Sequence, residues 1–141
     1  MQRKATAVWQ GDLKSGQGVV SSDSGVLAKT PYSFRDRFED GKGTNPEELI
    51  AAAHAGCFAM ALSAQLGEQG LTAQSIEATA TVALEKLDTG FTVTSSHLDL
   101  TLKVAGGDRA KMETAANNAK AGCPISKLLN AKITLTASYE T

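Results

Sequence analysis

Apolar and polar positions alternate over much of this chain, and the places where the alternation stops mark out its elements. Residues 4–10 and 32–38 alternate with period two, and residues 16–22 form a short run bounded by glycine, so the first third reads as strands with a loop at Ser24-Gly25. In the third of these segments Tyr32, Phe34, Asp36 and Phe38 share one face, and Ser33, Arg35 and Arg37 share the other. Two arginines facing one way from a strand point to a surface or a site.

A polar loop over residues 40–44 ends the alternation, and Asn45 as N-cap, Pro46 at the first helical position and Glu48 at the third make a helix start of capping-box type. The helix is expected from Pro46 to Leu66 or a few residues further, stopping at Gly67 or Gly70. It carries no charge between Leu49 and Ala64, so it is expected to be buried on most sides, against a curved sheet and one further element. Alternation returns over residues 75–87 and 90–104, joined by a hairpin turn at Asp88-Thr89-Gly90. A second, amphipathic helix follows over 108–120, then a short turn from Gly122-Cys123-Pro124 to near Leu129, then a last strand over 132–139. This order predicts an α+β fold, and a length of 141 residues favours a single domain, 1–141.

Charge narrows the partners. A net charge of -1 offers no electrostatic footprint for nucleic acid or for an anionic membrane surface. The N-terminal stretch lacks an apolar core of signal-peptide length, and no apolar run is expected to reach the roughly 18 uncharged residues of a membrane span, so the expected location is cytoplasmic. Thiols are kept reduced there, and a cysteine pair then reads as catalytic or redox-sensing more readily than as a staple.

The chain has two cysteines, Cys57 within the apolar helix and Cys123 ahead of Pro124. Local physics makes Cys123 the more acidic thiol, because a helix N-terminus favours thiolate and apolar burial disfavours it. Cys57 reads as a small buried hydrophobe unless tertiary structure brings a cation to it.

The stretches Gly43-Thr44-Asn45-Pro46-Glu47-Glu48-Leu49, Ala51-Ala52-Ala53-His54-Ala55-Gly56-Cys57-Phe58 and Ala119-Lys120-Ala121-Gly122-Cys123-Pro124-Ile125-Ser126 resemble the signature blocks of the OsmC/Ohr family of osmotically inducible and organic hydroperoxide resistance proteins. Trp9-Gln10-Gly11-Asp12, Gly25-Val26-Leu27, Pro31-Tyr32-Ser33-Phe34 and Arg37-Phe38-Glu39 extend the resemblance over nearly the whole chain, closer to the OsmC branch. The resemblance implies antiparallel sheets wrapped around a long buried central helix, in an intertwined homodimer. It also implies a thiol peroxidase in which Cys57 attacks, Cys123 resolves, Glu47 is the active-site carboxylate and Arg37 the active-site cation. The implied partners are an organic hydroperoxide and a dithiol reductant of lipoyl type; no cofactor and no metal are called for. His54 stands where the Ohr branch has Tyr, and the resemblance gives it no role.

These residue types suit that chemistry. Arg37 could hold Cys57 as thiolate and Glu47 could orient the guanidinium, while Phe34, Phe38, Met60 and Leu128 could wall an apolar pocket or be plain core. Arg35 is an alternative to Arg37. His54, one turn before Cys57, is either a base or a satisfied core residue. A zinc site from Cys57, His54, Cys123 and His97 lacks paired ligand spacing. A non-enzymatic module that binds an apolar small molecule is the reading of a different class.

Helix geometry adds an expectation about assembly. Glu47 and Cys57, ten residues apart, are separated by about 15 Å along one helix axis. Glu47 is roughly 80° and Glu48 roughly 180° from the Cys57 direction, which favours Glu47 as the site acid. An antiparallel pair of these helices, crossing near Ala52 where small residues allow close approach, would bring Glu47 of one chain level with Cys57 of another.

Overall fold

The computed structural model describes all residues, Met1–Thr141. Its elements run β1 (Ala5–Gln10), β2 (Gln17–Ser22), β3 (Thr30–Tyr32), α1 (Phe34–Phe38), α2 (Pro46–Glu68), β4 (Ser75–Leu87), β5 (Gly90–Lys103), α3 (Arg109–Gly122), α4 (Pro124–Leu128) and β6 (Lys132–Glu140). The fold is mixed α+β, with one three-stranded sheet β1-β2-β3, a second β4-β5-β6, and a long helix between them in the chain order. Contacts group the chain into two compact units, Met1–Leu49 and Ile50–Thr141.

In the first unit β1, β2 and β3 pair antiparallel, with Trp9, Gly18 and Tyr32 in register across the sheet. A Cβ on Gly18 would come within 2.4 Å of the Tyr32 ring and 2.7 Å of Trp9, so glycine there lets the two rings meet at 5.5 Å. The strand expected over 32–38 is corrected: it ends at Tyr32, and Phe34–Phe38 is a helical turn. Ser33 caps that turn by accepting the Asp36 N–H, and Phe34 stacks on Phe38 one turn on, at 4.9 Å. Arg35 and Arg37 therefore do not share a strand face.

The Asp36 carboxylate accepts from the Ser33 hydroxyl and from the Gly43 N–H, while Asn45 donates to the Asp36 carbonyl. These bonds, the Ser33 hydroxyl foremost, hold the Asp36 carboxyl below its ordinary range. They also tie the end of α1 to the start of α2. Asn45 Oδ1 accepts the Glu48 N–H at 2.8 Å, the expected cap, whereas the Glu48 side chain accepts from Thr44 Oγ1. At the other end, Gly70 at φ +73 closes a Schellman motif, with Leu71 N–H donating to Leu66 and Gly70 N–H to Gly67.

In the second unit β4 and β5 form a long hairpin whose two-residue loop is Asp88-Thr89. β6 lies parallel to β5, a correction to purely antiparallel sheets: α3 and α4 form the crossover that brings the chain back to the same end. The core joins Phe58, Leu62 and Leu66 of α2, Leu98, Leu100 and Leu102 of β5, and Met112, Ala115, Ala116 and Ala119 of α3, all buried.

α2 departs from two expectations. Its buried residues, His54, Phe58, Leu62 and Leu66, recur every fourth position and form one face only. Ala52, Ala53, Gly56, Met60 and Ala64 are exposed, so the helix is not buried on most sides within this chain. The expectation that no apolar run reaches spanning length is also overturned, because the uncharged stretch continues through Gln65 and Leu66. Pro46–Glu68 has the length and hydropathy, a mean of 1.5, of a membrane-crossing helix, a property it shares with core helices of soluble proteins.

Candidate functional site

The structure brings the four expected site residues together as two pairs, one in each compact unit. In the first unit Arg37 faces Glu47. Its Nη2 donates to Glu47 Oε1 at 2.8 Å, and its Nε donates to both carboxylate oxygens at 3.2 Å. Such a fork-to-carboxylate contact fixes the guanidinium plane, which one isolated bond would not. Glu47 is largely covered, at 12% side-chain exposure against 39% for Arg37, leaving part of the guanidinium open. Arg35 instead pairs with Glu39 at 3.5 Å on the surface, so only Arg37 meets the start of α2.

Next to that pair lies a cavity of about 260 Å³, lined by Trp9, Leu13, Tyr32, Ser33, Phe34, Arg37, Phe38 and Pro46. Its lining is mainly apolar, with Arg37 and Ser33 among the residues that bound it. Phe34 and Phe38 thus line a pocket, one of the two roles the sequence left open to them. Met60 and Leu128 belong to the second unit and are exposed.

In the second unit Cys57 Sγ and Cys123 Sγ lie 2.8 Å apart, hydrogen-bonded and both free thiols. Cys57 packs against the core from the fourth turn of α2. Cys123 is held at the join of α3 and α4, where its N–H donates to Ala119 and Pro124 starts the next helix. The two sulfurs differ in acidity. Burial and the bond to Cys123 push the Cys57 thiol up. Burial pushes Cys123 the same way but is outweighed by the bond shared with Cys57 and by the Ser126 and Ile125 N–H groups and the Ser126 hydroxyl at the start of α4. Cys123 is the more acidic thiol, as the helix-start argument expects, and Cys57 gains no stabilising cation from its own unit.

His54 is completely buried, with Nδ1 at 2.6 Å from Ser96 Oγ and Nε2 at 2.8 Å from Ser126 Oγ. Both ring nitrogens are engaged by neutral hydroxyls, and burial keeps the imidazole pKa below its ordinary value. His54 is thus a satisfied core residue, not a base aimed at Cys57. His97 sits on the opposite face of β5, bonded to Thr134, so the four residues weighed as a zinc set do not assemble. Sequence reasoning missed Ser96 and Ser126. The signal for Ser96 was available: it keeps phase with Leu98, Leu100 and Leu102 on β5, a polar residue at an apolar position.

Two free thiols in contact, joined from separate elements of one unit, are the site that this geometry defines. A profile of the family described as OsmC-like protein matches residues 39–138. The chain is 53% identical over 135 residues to peroxiredoxin OsmC of Escherichia coli (strain K12), covering 96% of this chain and 94% of that one. It is 30% identical over 118 residues to an organic hydroperoxide resistance protein of Xanthomonas axonopodis pv. citri (strain 306), covering 83% and 81%. Among solved structures, the organic hydroperoxide resistance protein OhrB of Bacillus subtilis superimposes with a TM-score of 0.67 at 27% identity, over 97% of this chain and 98% of that one. This chain belongs to the OsmC-like family, and its fold is that of the OsmC and Ohr proteins.

Proposed function

We propose that this protein reduces organic hydroperoxides to alcohols through a Cys57 sulfenic acid and a Cys57–Cys123 disulfide. The chain is a cysteine-based peroxidase of its family, and the observation that carries the two-thiol mechanism is the 2.8 Å contact between a sulfur of α2 and one at the α3–α4 join. Cys57, as thiolate, attacks the distal peroxide oxygen; the O–O bond breaks, the alkoxide leaves and takes a proton to become the alcohol. Cys57 is then a sulfenic acid. Cys123 attacks its sulfur, the S–S bond forms, and hydroxide leaves with a proton as water. A dithiol of lipoyl type returns two electrons and restores both thiols.

Cys57 is the harder thiol to ionise in its own unit, so its activation calls for a cation. The Arg37–Glu47 pair is the oriented one, with part of the guanidinium free to face a thiolate. Its supply by a second copy of the chain agrees with the ten-residue spacing of Glu47 and Cys57, and with the exposed apolar face of α2, where Ala52, Ala53, Gly56 and Met60 await cover. The working unit is then a homodimer with two composite sites, each chain a single domain of the fold, acting in the cytoplasm. The cavity beside Arg37 takes the alkyl group of the substrate.

Single-cysteine variants test the division of labour. Cys57→Ser loses turnover entirely, whereas Cys123→Ser consumes one equivalent of hydroperoxide and then accumulates sulfenic and sulfinic Cys57. Steady turnover by Cys57→Ser would reverse the roles.

A further inference from the structure

His54 lies three residues before Cys57 on α2, and Ser126 lies three residues after Cys123 on α4. The bond between His54 Nε2 and Ser126 Oγ, 2.8 Å, therefore joins α2 to α4 beside the thiol contact, which joins α2 to the N-cap of α4, three residues away on each side. α4 is only five residues long, Pro124, Lys127 and Leu128 are exposed, Ile125 is its one side chain packed on the apolar core, and no side-chain cap holds its first turn. Ser126 is the one α4 side chain hydrogen-bonded to another helix. On the far side, Ser96 of β5 holds Nδ1 at 2.6 Å, so the imidazole is gripped at both nitrogens and cannot turn. The imidazole thus links β5 to α4 through two hydroxyls, one at each ring nitrogen.

We propose that Ser96, His54 and Ser126 form a positioning strut that holds the Cys123 sulfur in reach of Cys57 for disulfide closure, and that they take no part in peroxide cleavage. This inference rests on the two-thiol reading above. The step served is Cys57–SOH plus Cys123–SH giving Cys57–S–S–Cys123 plus water, in which the attacking sulfur must lie in line with the bond to the departing oxygen. Small misplacements of a reacting group slow such steps steeply. The strut acts through a hydrogen bond, so its loss separates the two chemical steps.

The full chain, reduced and then mixed with one equivalent of cumene hydroperoxide, reports both steps: dimedone trapping times the sulfenic acid, and loss of the second thiol times closure. In Ser126→Ala, sulfenic acid formation is expected within about twofold of the unsubstituted chain and closure slower by about tenfold or more, with sulfinic Cys57 accumulating. Ser126→Thr keeps the hydroxyl and restores closure. His54→Phe reproduces the Ser126→Ala defect; should it fail to fold, the two serine variants decide. Closure in Ser126→Ala within twofold of the unsubstituted chain overturns the strut. Diamide drives the same closure without peroxide, so a chain inert to cumene hydroperoxide defeats the peroxidase reading alone, and the diamide closure rates still test the strut.

Discussion

Cys57 and Cys123 are 66 positions apart in the chain and 2.8 Å apart at sulfur, yet their surroundings drive their acidities in opposite directions. Cys123, proposed to resolve, has the N–H groups of a helix start, whereas Cys57, proposed to attack, has burial that outweighs the Ile125 N–H and no cation of its own unit. Under the proposed division of roles, that asymmetry calls for an outside cation to ionise Cys57.

The Arg37–Glu47 fork is the candidate for it. Lysine in place of Arg37 keeps a charge but cannot make the three contacts of the fork, so Arg37→Lys is expected to slow Cys57 oxidation by about tenfold to a hundredfold. Arg35→Lys disturbs only the surface pair with Glu39, and is expected to leave the rate within about twofold. Stopped-flow thiol loss with cumene hydroperoxide measures both; equal effects at the two positions would remove Arg37 from the site.

If each site draws its thiol and its carboxylate from different chains, two dead variants complement one another. Cys57→Ser and Glu47→Gln co-expressed should give mixed dimers with one intact site of two, hence about a quarter of full activity on random pairing. Activity no greater than the sum of the separate variants would place Glu47 and Cys57 of one chain in the same site.

Burial of His54 has a consequence for acid stability. Its folded pKa lies below the ordinary 6.5, so between the two values the unfolded chain binds a proton that the folded chain refuses. The contribution is fully present above 6.5 and is lost as pH falls from there toward the folded value, by at most about 1.4 kcal/mol per pH unit. Urea unfolding between pH 7 and 5 measures it. His54→Gln should show a shallower slope than the unsubstituted chain, and identical slopes would contradict the assignment.

Substrate size should matter through the cavity of about 260 Å³ walled by Trp9, Leu13, Phe34 and Phe38. Each further CH2 buried there can raise kcat/KM by up to about fourfold, so cumene and fatty-acid hydroperoxides should exceed hydrogen peroxide. Equal kcat/KM for all three would exclude the cavity from substrate binding.

Much of the architecture was legible from pattern and caps. Asn45-Pro46 and Gly70 bracket α2 by local chemistry, and the Asp88-Thr89 loop between two alternating runs fixes the β4–β5 hairpin. Phe34–Phe38 was not legible as helix, because five residues fit both periods; the Ser33 cap on Asp36 decides it, and a capping signal weighed against alternation would have shown it. The parallel placing of β6 depends on a crossover that no local pattern encodes. At the site, family resemblance singled out the thiols, but spacing could not bring Ser126 to His54 across 72 positions, since that contact exists only after α4 folds back on α2.

The central claim is that two free thiols in contact form one redox couple driven by organic hydroperoxide. Counting free thiols after a single equivalent of cumene hydroperoxide tests it most directly. Both thiols of the reduced chain should disappear together and return with a dithiol reductant. Two thiols still free after that equivalent would contradict the account, leaving the cysteines as packing in a protein that binds an apolar molecule.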